Sequence, residues 1–175
     1  MSVVKRKRKE SPFEVFHHLT KMRQNITDLL LRDFGYSNEK FQKKIERRYG
    51  GKKFEELTDV QKKDYERQKE RNVAFAEWYI AKERETVMEC IHSINEHVYV
   101  ANSIYPTCQE ELTERRLHQD IAIGQCARLT QELQYAIETL PVNVNTYLNI
   151  AHDIEKEIAL LKGWRKSDNK FKKNF

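Results

Sequence analysis

The chain has 175 residues, 39% hydrophobic and 34% charged, with only five Gly and three Pro. That length suits one domain with a real core, and the charge-rich, turn-poor balance favours long solvent-facing helices over sheet. No apolar run approaches the roughly 20 residues that span a bilayer. The basic N-terminus lacks the apolar stretch of a secretory signal. The three isolated thiols Cys90, Cys108 and Cys126 fit a reducing cytoplasm better than a disulfide framework.

The first helix is announced by Ser11-Pro12-Phe13-Glu14, which places Ser at the N-cap, Pro at N1 and Glu at N3. Val15, Leu19, Met22, Ile26 and Leu29 make its apolar stripe, and Phe34-Gly35 is its expected end. Ser37 caps a shorter helix to about Tyr49, broken by Gly50-Gly51. Residues 40–53 hold seven cations against Glu46 alone and few apolar residues, so this stretch reads as a surface arm. Thr58-Asp59-Val60-Gln61 opens a third helix, and nothing breaks it before Pro106. Its early turns are polar nearly all round and should project, whereas Ile80, Val87, Ile91, Ile94, Val98 and Ala101 form a packing stripe.

Thr107-Cys108-Gln109-Glu110 caps a fourth helix with a stripe at Ala122, Cys126, Leu129, Leu133, Ala136 and Leu140, stopped by Pro141. Asn143 or Asn145 caps the last helix, whose apolar residues fall at 147, 151, 154, 158 and 161. Gly163 is its expected C-terminal stop, followed by Trp164 and a basic, unpatterned tail. Short connections make successive long helices antiparallel neighbours. The expected fold is all-α: an antiparallel four-helix bundle over 11–164, with a basic helical insertion at 37–71 between the first two long helices. Residues 1–10 and 165–175 are basic arms.

The formal charge of +5 is unevenly placed. Residues 1–10 sum to +4 and residues 162–175 to +5, leaving −4 on the body between. Basic arms on a mildly acidic body are a footprint of nucleic-acid binding, although one such tail alone is more simply a solubilising tail. The candidate phosphate-binding residues are Lys5, Arg6, Lys7, Arg8 and Lys9, then Lys43, Lys44, Arg47, Arg48, Lys52 and Lys53. Arg165, Lys166, Lys170, Lys172 and Lys173 complete the set, and together they are expected to form a patch that the fold itself does not need.

Catalytic readings have little to stand on. Glu14-x-x-His17 and Glu89-x-x-His92 have di-iron spacing, but they lie on the first two long helices, where the metal bundles do not place them, and Glu14 belongs to a cap. His152-Asp153 lacks a recognisable set of partner ligands. No Arg precedes a His by the four to six residues of the helical HEPN ribonucleases. No phosphate-binding glycine loop, nucleophile elbow or Cys-x-x-Cys is present. No cofactor or metal is expected. The polar stretch Glu114–Asp120 is either a buried polar network or a partner-binding edge. Trp164 either closes the bundle end or stacks on a base, and its 3–4 spacing from Leu161 favours the core. Trp78, Tyr79 and Ile121 lie outside the stripes and are candidate subunit or partner contacts.

The ending carries a resemblance. Tyr147…Ala151…Ile154-x-x-Glu157-Ile158-x-x-Leu161-x-Gly163-Trp164-x-Lys166-Ser167 resembles the last helix of the accessory variability determinant (Avd) proteins of diversity-generating retroelements. These belong with small bacterial four-helix bundle proteins also encoded within intervening sequences of large ribosomal RNA genes. The likeness is sharp over about the last 25 residues and diffuse over roughly 80–166. Where the family typically has a glycine after the Glu-Ile pair and a double glycine before the tryptophan, this chain has Ala159 and Lys162. The resemblance implies a non-catalytic, basic, ring-like homo-oligomer, a pentamer in the family. Such a protein binds a reverse transcriptase and its template RNA and supports error-prone cDNA synthesis. The competing classes are a structural or protein-interaction bundle with no nucleic-acid role and a metal-dependent helical enzyme.

Overall fold

Residues 13–173 are described by a computed structural model, and among them the chain is all-helical, with five α-helices and no strand. None of these helices is long and apolar enough to cross a membrane. Helix α1 spans Glu14–Leu31 and buries the expected Val15, Leu19, Met22, Ile26 and Leu29, together with His18 and Leu30. Ser11 and Pro12 lie outside the described residues, and Glu14 is the first helical residue, behind Phe13. The helix ends before Phe34-Gly35. Asp33, Phe34 and Gly35 turn left-handed at φ 50°, 59° and 75°. That conformation costs a bulky residue about 1–2 kcal/mol. Full burial of the Phe34 ring, worth about 1.5–3 kcal/mol, offsets it. Arg84 donates from Nε (3.2 Å) and Nη2 (3.0 Å) to the Leu30 carbonyl and pairs with Asp33. The Tyr147 hydroxyl donates to the Phe34 carbonyl at 2.7 Å.

Helix α2 spans Asn38–Arg48, capped by Ser37 Oγ accepting from the Lys40 N–H. Gly50 and Gly51 take positive φ behind it. The segment is more than a surface arm. Phe41 and Ile45, one turn apart, bury with Leu57 and Tyr65 in a second small apolar cluster flanked by Tyr36, Tyr49 and Phe54.

Helix α3 runs unbroken from Asp59 to Ser103, 45 residues. Its capping box is formed as expected, with Thr58 Oγ1 accepting from the Gln61 N–H and Gln61 Oε1 accepting from the Thr58 N–H. Its whole expected stripe is buried. Its early turns are also held, through Tyr65, against α2.

Helix α4 spans Gln109–Thr139. The carboxylate that closes its cap is Glu111, not Glu110: Oε2 accepts from both the N–H and the hydroxyl of Thr107 at 2.7 Å. Asn143 Oδ1 accepts from the Asn145 N–H and opens helix α5, Asn145–Ser167. This helix does not stop at Gly163. It continues through Trp164 to Ser167, and a 3₁₀ turn follows over Asp168–Lys173.

The four long helices pack in a closed circuit, α3 on α4, α4 on α5, α5 on α1 and α1 on α3, around one shared core. Asp168 holds the end of the chain to this core. Its Oδ2 accepts from Arg115 Nε at 2.7 Å and from Gln119 Nε2 at 2.8 Å. Arg115 Nη1 donates to the carbonyls of Ala101 (3.0 Å) and Ile104 (2.6 Å) at the end of α3. The guanidinium sits 4.9 Å from the Trp164 ring centre and 5.9 Å from that of Phe171. The stretch Glu114–Asp120 therefore supplies a buried polar network, and the segment after Gly163 is structured by it. Removing one member of such a buried pair leaves the other charge uncompensated, at a cost of about 3–5 kcal/mol. Arg115→Ala is expected to lower unfolding free energy by about that amount in urea titrations, whereas Arg165→Ala at an exposed pair should cost under about 1 kcal/mol. Equal effects of the two changes would refute the assignment.

Candidate nucleic-acid interface

Spacing on α2 separates its two jobs. Phe41 and Ile45 face the small cluster, which leaves Lys40, Lys43, Lys44, Arg47 and Arg48 exposed. The first four line an open cleft of about 450 Å³ whose far wall is the α4–α5 connection, Ile137, Glu138, Leu140, Pro141 and Val142. Lys40 Nζ reaches the Gly35 carbonyl and Arg48 Nη1 donates to Gln68 Oε1 at 3.1 Å. Among the described residues, Lys43, Lys44 and Arg47 pair with no carboxylate. Lys52 and Lys53, beyond the two glycines, are exposed as well.

The C-terminal candidates behave differently. Arg165 is engaged with Asp120, Nε to Oδ1 at 2.6 Å and Nη2 to Oδ2 at 2.9 Å. Lys166, Lys170 and Lys172 are exposed, with Lys170 Nζ 5.0 Å from the Phe171 ring centre. Lys5, Arg6, Lys7, Arg8 and Lys9 lie outside the described residues, as does the Lys173 side chain. Phe13 meets Trp164 edge-on at 4.9 Å, so the described chain starts at the end where Lys166 and its neighbours emerge.

The candidate cations among the described residues do not form one patch. Arg48 of the α2 group meets α3 at Gln68, and Arg115, which holds Asp168 at the start of the C-terminal turn, meets the end of α3 at Ala101 and Ile104. At the rise of an α-helix those points are roughly 50 Å apart. Sequence order suggested nothing of this, because burial of Asp168 and the length of α3 are what set it.

The residues considered for chemistry point elsewhere. Glu14, His17, Glu89, His92 and His152 are all exposed, and the described residues contain no group of three metal-ligating side chains. Trp164 is half-buried against the core, as its spacing implied. Tyr79 is buried, so of the proposed contact residues Trp78 is the exposed one and Ile121 is partly covered. Burial raises the Cys90 thiol and pushes that of Cys126 up to about 12, so both stay protonated and poorly nucleophilic at neutral pH.

One buried titratable pair was missed. His18 Nδ1 lies 2.8 Å from Glu157 Oε2, and Glu157 has no exposed surface. Asp153 stands 3.8 Å from His18 Nε2 and accepts from Asn25 Nδ2 at 2.7 Å. The signal was present: Glu157 falls between Ile154 and Leu161 on the apolar spacing of α5. Burial pushes its carboxyl up to about 8, and burial, with Lys156 next, lowers His18. Both shifts favour the neutral forms, in which the Glu157 carboxyl can donate to Nδ1. His18 keeps 9% of its surface exposed and Glu157 none.

Comparison with protein-family models, with curated proteins and with solved structures finds no match for this chain. The described residues offer exposed cations on α2 and at the C-terminal end.

The interior pair gives a pH signature. A carboxyl whose folded value is raised contributes stability that is fully present below its ordinary value near 4.5 and is lost as pH rises toward about 8. His18, shifted down, loses its contribution as pH falls below its ordinary 6.5. Glu157→Gln keeps a donor to Nδ1 and removes the carboxyl titration. Its stability relative to the natural chain should rise between pH 5 and pH 8, read from urea midpoints. A difference that is constant across this range would overturn the neutral assignment.

Proposed function

We propose that this chain is a non-catalytic RNA-binding accessory protein of the Avd kind. On this reading it holds the template RNA of a diversity-generating retroelement for a reverse transcriptase during mutagenic cDNA synthesis. The observation that carries the nucleic-acid part is the unpaired cation set Lys43, Lys44 and Arg47 on a helix whose apolar face is already used. Cations with a structural task are paired, as Arg84 and Arg115 are; these have no such task. The retroelement part rests on the resemblance in the last helix.

The four long helices form, on the same reading, an antiparallel four-helix bundle. Contacts at both ends support this. Residues 101 and 104 meet 115, 120 meets 165, 13 meets 164, and 34 meets 147, each joining opposite ends of neighbouring helices. A helper that only positions RNA needs phosphate contacts and no reacting group. The three free thiols suit a reducing cytoplasm.

Each phosphate contact releases condensed counterions, giving a log–log salt slope of roughly −0.7 to −0.9 per contact. Replacing Lys43, Lys44 and Arg47 together by Gln is expected to weaken binding to a structured RNA and to reduce the slope by about 2 to 3. Thermal stability should stay nearly unchanged, because exposed unpaired charges stabilise little. Anisotropy titrations at several salt concentrations read this, and equal affinity and slope for both proteins would remove α2 from the interface.

Assembly is separately measurable. Sedimentation equilibrium of the full chain is expected to give a mass several times the 21.0 kDa of one chain. A clean monomer at micromolar concentration would refute self-assembly by the protein alone.

A further inference from the structure

The outer face of α3 carries a second stripe that neither the core nor the cationic cleft uses. Gln68, Arg71, Phe75, Trp78 and Lys82 recur in steps of three and four, so they lie along one side of the helix. Phe75 keeps 47% and Trp78 59% of their surface exposed. Their ring centres are 5.9 Å apart, and Phe75 stacks on the buried Tyr79 at the same separation with an interplanar angle of 17°. Tyr79 in turn is braced by Tyr135 of α4 at 5.8 Å. Phe75 is therefore backed by Tyr79, and Trp78 packs beside Phe75.

Cations adjoin this platform. Arg48, Gln68, Arg71, Asn72 and Phe75 line an open cleft of about 450 Å³. A smaller hollow of about 100 Å³ shares Arg48 and Asn72 with it and reaches Lys44. Lys44 also belongs to the α2 cleft. The track therefore runs without a gap from the cations of α2, past Arg48 and Arg71, to the rings of Phe75 and Trp78. Arg71 pairs with no carboxylate among the described residues.

We propose that Phe75 and Trp78 form a stacking platform for unpaired bases of RNA, with Arg48, Arg71 and Lys44 taking the phosphates on either side. Duplex RNA hides its base faces, so phosphate contacts alone cannot distinguish paired from unpaired strands. Aromatic faces next to a cationic groove can, because every base offers a π-face once unstacked. A protein partner for the same rings would meet Arg48, Arg71 and Asn72 at the platform's edge, and the cationic lining favours the polyanion. This inference deepens the RNA-binding reading and rests on it.

The test compares a 12-nucleotide oligouridine with a blunt RNA duplex of the same length, each labelled, by anisotropy with the full chain. Phe75→Ala with Trp78→Ala is expected to weaken oligouridine binding by tenfold or more. Duplex affinity and its salt slope should stay within about twofold. Phe75→Tyr with Trp78→Phe keeps the π-faces and should restore oligouridine binding, which separates stacking from loss of fold. The α2 glutamine variant should weaken both probes. Equal losses on both probes in the alanine variant would overturn the platform, as would no loss on either. No binding of either probe by the natural chain would instead sink the RNA reading itself. A changed sedimentation mass with unchanged oligouridine affinity would identify the rings as a contact between copies and overturn the proposal.

Discussion

A helix of 45 residues cannot be covered along its whole length by neighbours of 18, 31 and 23 residues. This mismatch governs the molecule. From Ala76 to Ala101, α3 buries a side chain at nearly every turn against its long partners. Before Ala76 the only buried residue of the helix is Tyr65. A bare helix this polar would gain little from tertiary contact and would fray. Helix α2 and the turn after it supply the missing surface through Phe41, Ile45 and Leu57. The same arrangement leaves the flank of the overhang beside α2 open, where Arg71 and Phe75 line a cleft with Arg48, and Trp78 stands exposed next to Phe75.

At the other end, the constraint is a buried charge. Arg115 is drawn into the core end by two backbone carbonyls at the close of α3, and Asp168 balances it. An isolated guanidinium there would be untenable, so the chain must fold back far enough to bring Asp168 in. This extends α5 past Gly163 and seats Phe171. The consequence reaches the surface: Lys166 is presented from the last turn of α5, and Lys170 and Lys172 from the 3₁₀ turn that follows. Arg165 is drawn into its bidentate contact with Asp120.

Which parts of this were legible depended on whether local chemistry or distant packing decided them. The apolar stripes of α1, α3 and α4 were readable, because a 3–4 period survives whatever the neighbours are; on α5 the core takes Ile150 and Glu157, and the expected Ala151 and Ile158 are only half-buried. The Thr58 box and the Ser37 cap were readable for the same reason, since a cap involves four residues. Gly163 misled because a glycine permits a stop without requiring one, and the pull of Asp168, 53 residues from Arg115, outweighed it. Phe41 and Ile45 misled because two apolar residues among seven cations make no stripe, yet one turn suffices when Tyr65 and Leu57 are brought to them. Of the candidate site, the exposure of the α2 cations followed from composition. The engagement of Arg165 and the separation of the two groups did not, because neither is a local property.

That separation restricts what can bind. The points at which the two described cationic groups are anchored along α3 lie roughly 50 Å apart, several Debye lengths of about 8 Å at physiological ionic strength, so the groups do not reinforce one another through solvent. A mononucleotide or a small phosphate compound can satisfy one end at most and gains nothing from the other. A polyanion long enough to reach both gains doubly, because binding at one end raises its effective concentration at the second. The benefit holds only if the spacing is rigid, and a helix held by α2 at its start and by Arg115 at its close supplies that rigidity. The described cations are thus too widely spaced for one small anion to bridge, and the length of α3 sets that spacing.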